Sequence, residues 1–220
     1  MKALLNPIGW LIALGLVAAL FLTGCKRERP VQVGPDVMIG VKAGGHGSGV
    51  HLGGGYFLTA SHVAEHGPIL NVIREDGQQF DGAVLWNNAG YDVALVYVDG
   101  YEGPRVNLSC APVHVGQRIR IMGNPFETKF ASSWGRISAV GKTGYEQEGP
   151  GKRWKKIATA DITAAPGVSG GGVYDEETGD LVGILVAGMV TPMGVFAYSF
   201  IVPGDAICHV FAVAAVGRRV

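Results

Sequence analysis

From Asp36 onward the chain breaks into short apolar and β-branched runs separated by Gly, Asn, Asp and Pro, a rhythm that belongs to strands and tight turns. Candidate strands fall at Val37–Lys42, Gly49–Leu52, Tyr56–Ala60, Leu70–Arg74, Phe80–Trp86 and Val93–Val98. A second set falls at Arg118–Met122, Ser133–Val140, Lys156–Ala160, Gly171–Tyr174, Leu181–Ala187 and Phe196–Val202. Residues 99–116, with Pro104 and Pro112, read as the connector between the sets. The pattern predicts an all-β sandwich or barrel. It also predicts a short helical turn after His62 and a closing helix over Ala206–Val216 with Asp205 as its N-cap. The Val and Phe of that last segment leave a further strand open as the alternative.

The start of the chain follows another pattern. Lys2 precedes an uncharged stretch from Ala3 to Cys25, strongly apolar between Trp10 and Leu22 and ending Leu22-Thr23-Gly24-Cys25. A basic start, an apolar centre and small residues at the end describe an export signal over residues 1–24. The last four residues resemble a bacterial lipobox, in which the cysteine, here Cys25, is lipidated and becomes the first mature residue. An uncleaved membrane-spanning helix is the competing reading. Lys26, Arg27 and Arg29 follow at once, and basic residues favour the cytoplasmic side, so that reading keeps the domain inside the cell. Residues 25–35 form a tether in either case.

Composition narrows the classes. Over 220 residues, 48% hydrophobic against 16% charged describes a globular or membrane-tethered protein. Basic and acidic residues balance at 18 each, so nothing points to a nucleic-acid partner. The 35 glycines, without a collagen-like period, signal many turns. Besides Cys25 there are Cys110 and Cys208, which read either as a disulfide of an exported protein or as two buried thiols.

Three segments carry candidate chemistry. A serine hydroxyl attacks carbonyls at neutral pH only with a base to take its proton and donors to hold the oxyanion. Ser169 lies in Pro166-Gly167-Val168-Ser169-Gly170-Gly171-Gly172, where glycines permit a turn that exposes the hydroxyl beside backbone N–H groups. A plain glycine-rich hairpin is the alternative. His62 ends a hairpin, after Gly47-Ser48-Gly49 and Thr59-Ala60-Ser61. Asp92 stands directly before a buried strand, where a carboxylate needs a partner.

In the order His, Asp, Ser, these segments resemble the chymotrypsin-like serine peptidases, closest to bacterial Htr-type domains. The resemblance spans roughly residues 47–203 and includes Gly116–Pro125, Leu181–Ile184 and Tyr198–Pro203. It implies two six-stranded antiparallel β-barrels, over residues 36–110 and 111–220, with a C-terminal helix and the active site between them. It further implies a catalytic triad of His62, Asp92 and Ser169 and an oxyanion hole from the N–H groups of Gly167 and Ser169. Thr163 is expected near the floor of the primary specificity pocket. Val186, Ala187 and Gly188 are expected to pair with a peptide as an added strand. An uncharged pocket implies a small or medium apolar residue before the cut. Val168 stands where many relatives carry Asp, so activation by a newly cut N-terminus is not expected. Regulation by a following PDZ domain is not expected either. A Cys110–Cys208 bridge is suggested by related peptidases that staple these regions. No metal or organic cofactor is implied; the expected partners are a protein or peptide substrate and, through the N-terminal lipid or anchor, a membrane. The alternatives are an inactive peptide-binding module of the same fold and a structural envelope lipoprotein.

Overall fold

The apolar runs of the front half curl into one closed barrel and those of the back half into another. The structure, a computed structural model, describes residues 34–41, 44–142, 155–191, 193–194 and 196–217. The expected leader, Cys25, the tether as far as residue 33, and Lys42 lie outside the described residues.

In the first barrel, β1 (Asp36–Gly40), β2 (His46–Gly53), β3 (Tyr56–Thr59), β4 (Ile69–Ile73), β5 (Gln79–Asn88) and β6 (Val93–Tyr97) close in the order β1-β2-β3-β6-β5-β4. The second comprises β7 (Arg118–Gly123), β8 (Ala131–Lys142), β9 (Ile157–Ala160), β10 (Gly172–Asp175), β11 (Leu181–Val190) and β12 (Phe196–Pro203). These close as β10-β11-β12-β9-β8-β7. Closure leaves few unpaired backbone edges, and alternate residues of each strand fill the interior. Val37, Ile39, Phe57, Val72 and Val96 fill the first barrel; Ile119, Ile121, Ile137, Val173, Leu185 and Ile201 fill the second. All twelve expected strands appear, with ends shifted by a few residues.

Two helices punctuate the strands among the described residues. The short helix expected after His62 is α1 (Ser61–Ala64), which begins one residue before His62 and so carries it. The closing α2 (Gly204–Gly217) is a helix, which settles the helix-or-strand alternative. It starts one residue before Asp205, so Asp205 is not the N-cap. Its carboxylate lies in the first turn, where the helix dipole favours negative charge, and pairs with Lys156 Nζ.

Cys110 and Cys208 are bonded, with Cα atoms 5.7 Å apart, tying the connector between the barrels to α2. Polar groups also join the barrels. The Tyr174 hydroxyl on β10 donates to Asp36 Oδ1 on β1 at 2.6 Å, and the Arg120 guanidinium lies 4.8 Å from the Tyr174 ring centroid. Asp36 is buried and its Oδ2 has no hydrogen-bond partner. Burial outweighs the Tyr174 bond and pushes the Asp36 carboxyl up to about 7. His51, also buried, is held neutral between two backbone groups. Its Nδ1–H donates to Pro104 O at 2.8 Å, and its Nε2 accepts the Gly55 N–H at 3.3 Å. Burial lowers its pKa accordingly.

Candidate active site

His62 reaches its position because β3 ends at Thr59 and the chain turns at once into α1. No side chain of Ala60 caps this helix. Asp92 does that work from the start of β6: its Oδ1 accepts the His62 backbone N–H at 3.1 Å. Both carboxylate oxygens also lie 3.0 Å from His62 Nδ1. One carboxylate therefore satisfies a helix-terminal N–H and orients the imidazole. The Asp92 side chain is 6% exposed and that of His62 45%, so the carboxylate stays dry while the far ring nitrogen faces the cleft. Asp92 takes φ +57, a left-handed conformation that Asp tolerates better than most residues.

Ser169 comes from the second barrel, on the turn between residues 166 and 171. The turn is pinned to the first barrel by the Ser48 N–H, which donates to Ser169 O at 2.7 Å, and to β11 by the Gly170 N–H, which donates to Leu185 O at 2.7 Å. Gly170 takes φ +85, and a Cβ there would lie 2.2 Å from Ser48 O, so only glycine fits. Gly167 takes φ +97, and a Cβ there would meet Asn124 O at 2.2 Å. The Ser169 hydroxyl lies at the long distance of 3.5 Å from Val186 O. Among the described residues, no backbone hydrogen bond occupies the N–H of Gly167 or of Ser169.

His62, Asp92 and Ser169 line one cavity of about 640 Å³ between the barrels. Its far wall is apolar: Ala164, Leu185, Ala187, Gly188, Phe196 and Phe200. Val186, Ala187 and Gly188, expected along the substrate strand, also line it. On β11, pairing with β10 involves Leu181 to Ile184; among the described residues, 187–190 pair with β12 alone, Val186 falls in a register shift between Leu185 and Ala187, and this stretch presents its other edge to the cleft. Thr163 departs from expectation. It is exposed and does not line the cavity, because Ala164, its neighbour on the turn, takes the wall position. Phe196 was not singled out from sequence, yet its ring packs where a Cβ on Gly188 would sit, 2.7 Å from Phe196 Cε2, and narrows the cavity. Ser48 and Asn124 were missed as well. Ser48 belongs to the Gly47-Ser48-Gly49 segment, but nothing in its spacing tells which backbone groups it meets. Val168 is buried in the second barrel's core. Among the described residues no cluster of His, Cys, Asp and Glu is suited to hold a metal ion.

A double β-barrel with its cleft between the barrels is the architecture of the chymotrypsin-like peptidases. This chain belongs to the trypsin-like peptidase domain family, whose model matches residues 47–184. Among curated relatives it is 25% identical over 202 residues to the periplasmic serine endoprotease DegP of Escherichia coli, covering 83% of this chain and 40% of that protein. It is 32% identical over 145 residues to the putative serine protease HhoB of Synechocystis, covering 65% and 34%. The HtrA-type protease AlgW with a bound tripeptide superposes with TM-score 0.66 at 26% identity, covering 78% of this chain and 57% of that one. The chain spans about a third to two fifths of the length of the curated relatives it matches.

Proposed function

We propose that this chain is a serine endopeptidase working by an acyl-enzyme mechanism. The observation that carries the reading is the meeting, in one cleft, of an Asp92-oriented imidazole, the Ser169 hydroxyl and two uncommitted N–H groups. His62 takes the Ser169 proton as Oγ bonds to the scissile carbonyl carbon. The same proton then goes to the leaving amine as the C–N bond breaks, and water releases the acyl group by the reverse sequence. Asp92 holds Nδ1–H and stabilises the imidazolium. Gly167 and Ser169 N–H groups receive the oxyanion, each worth about 3 kcal/mol of barrier.

The substrate is a protein or peptide that adds as a strand to the free edge of Val186, Ala187 and Gly188. Ala164, Ala187, Phe196 and Phe200 supply a shallow apolar pocket without charge, suited to a small or medium apolar residue before the cut. The domain belongs in the cell envelope. The bonded Cys110–Cys208 pair suits an oxidising compartment, relatives are periplasmic, and Cys25 supplies a lipid anchor after removal of residues 1–24. The test is cleavage of an unfolded protein by the purified chain and by Ser169→Ala. Cleavage by the first and a loss of at least about 10⁴-fold in the second is expected. Binding of peptides without any cleavage by the wild type would leave a peptide-binding module instead.

A further inference from the structure

Ser48 sits on β2 in the first barrel, 1% exposed, with its hydroxyl at the centre of a three-way junction. Its Oγ lies 2.7 Å from Gly167 O, 3.0 Å from Asn124 N and 3.0 Å from Asn124 Nδ2. Two of these neighbours are N–H donors, so Oγ accepts from both, and its single hydrogen has only Gly167 O to go to. The hydroxyl orientation is thereby fixed by elimination.

The Gly167 carbonyl is thus held from the first barrel, and the preceding carbonyl, Pro166 O, is held by the Phe126 N–H at 2.9 Å. A trans peptide points its N–H opposite its C=O. With Pro166 O turned towards Phe126, the Gly167 N–H points away from Phe126. With Gly167 O turned towards Ser48, the next peptide cannot rotate independently of β2. The two bonds bracket Gly167, the residue whose N–H the proposed mechanism needs. Asn124 braces the junction: it is fully buried, its Nδ2 donates to Val37 O, its Oδ1 accepts the Phe130 N–H, and its carbonyl accepts from His46 Nε2 at 2.6 Å.

We propose that Ser48 is a positioning residue for the oxyanion-binding turn: it holds the Gly167–Val168 peptide, which lies between the two peptides that carry the Gly167 and Ser169 N–H groups, so that both N–H groups are preset for the transition state. The inference rests on the serine-peptidase reading above. Without the hydroxyl, Gly167 O and two Asn124 donors lose a buried partner, and the turn is free to sample other peptide orientations. The oxyanion exists only in the transition state, so the loss falls on kcat and not on KM.

The experiment compares the full-length wild type with Ser48→Ala. It uses steady-state kinetics on a peptide substrate and the affinity of a peptide aldehyde, whose hemiacetal with Ser169 places an oxygen in the same hole. Nearly isosteric Ser48→Cys, a much weaker donor, reads the same effect should the alanine variant fail to fold. The expected result is a fall in kcat of about 10²-fold, KM within about twofold, and aldehyde affinity weakened in step with kcat. A folded variant with wild-type kcat, or one whose loss lies in KM, overturns the proposal. A wild type that neither turns over nor binds the aldehyde overturns the reading of the site itself, and this inference with it.

Discussion

At the scale of single residues, one carboxylate serves two partners and another serves one. Asp92 accepts both the His62 backbone N–H and Nδ1–H. In Asp92→Asn, the amide oxygen can keep the backbone bond, but the NH2 group can no longer accept from Nδ1–H. The ring then favours the tautomer with its proton on Nε2, which on the proposed mechanism cannot receive the Ser169 proton. Steady-state assay of this variant is expected to show kcat reduced about 10⁴-fold in a folded protein. Asp36 is buried, with Oδ1 accepting from Tyr174 and, among the described residues, no hydrogen-bond partner for Oδ2. Tyr174 and Arg120 from the second barrel and Glu75 are the other titratable groups that bear on it. Its folded pKa of about 7 stands above the unfolded 3.8, so the native state holds the proton more tightly between these values. This contribution to stability is complete below pH 3.8 and is lost as pH rises through 7. Three pKa units bound the loss at about 4 kcal/mol. Asp36→Asn should therefore unfold at higher denaturant than wild type at pH 8, with the gap closing towards pH 4. An unchanged gap across that range contradicts the burial account.

At the scale of elements, most of the architecture was legible because each strand is short, apolar and bounded by turn residues, and all twelve appear where the pattern puts them. The cues were weaker where one residue decides a boundary. Asp205 looked like a cap, but Pro203 ends β12 directly against Gly204 and the helix starts early. Thr163 failed for a related reason. Spacing locates a turn, but not which of two adjacent side chains the turn aims inward, and Ala164 took the wall. Phe196 could not be seen at all, since its effect depends on β11 and β12 lying side by side with Gly188 opposite its ring. On the proposed reading Phe196 limits the pocket. Phe196→Ala should shift kcat/KM towards Leu or Phe before the cut, relative to Val, by about ten-fold or more. Competition between matched peptides measures this, and an unchanged preference would remove Phe196 from the pocket's determinants.

At the scale of the whole molecule, the proposed function requires two barrels to hold a shared cleft. The His62–Asp92 pair is built entirely by the first and Ser169 by the second, so their relative placement matters as much as either part. Sequence order points to these three residues as candidates, because their flanking motifs are local. The contacts that register the barrels, Ser48 with Gly167 and Asp36 with Tyr174, join residues 119 and 138 positions apart and carry no local signature. The Cys110–Cys208 bond, closing a separation of 98 residues, adds a covalent tie. Replacing both cysteines by serine should lower unfolding stability by about 4 kcal/mol, measured by denaturant titration, and wild type with reductant should move in the same direction. The central claim is that an imidazole from one barrel activates a hydroxyl from the other. The most direct measurement is the intact mass of the protein after a fluorophosphonate, with the adduct located by peptide mapping. One adduct, on Ser169, abolished in His62→Ala as well as in Ser169→Ala, is the result this account predicts. Labelling at another residue, or labelling of Ser169 that proceeds equally well without His62, would contradict it.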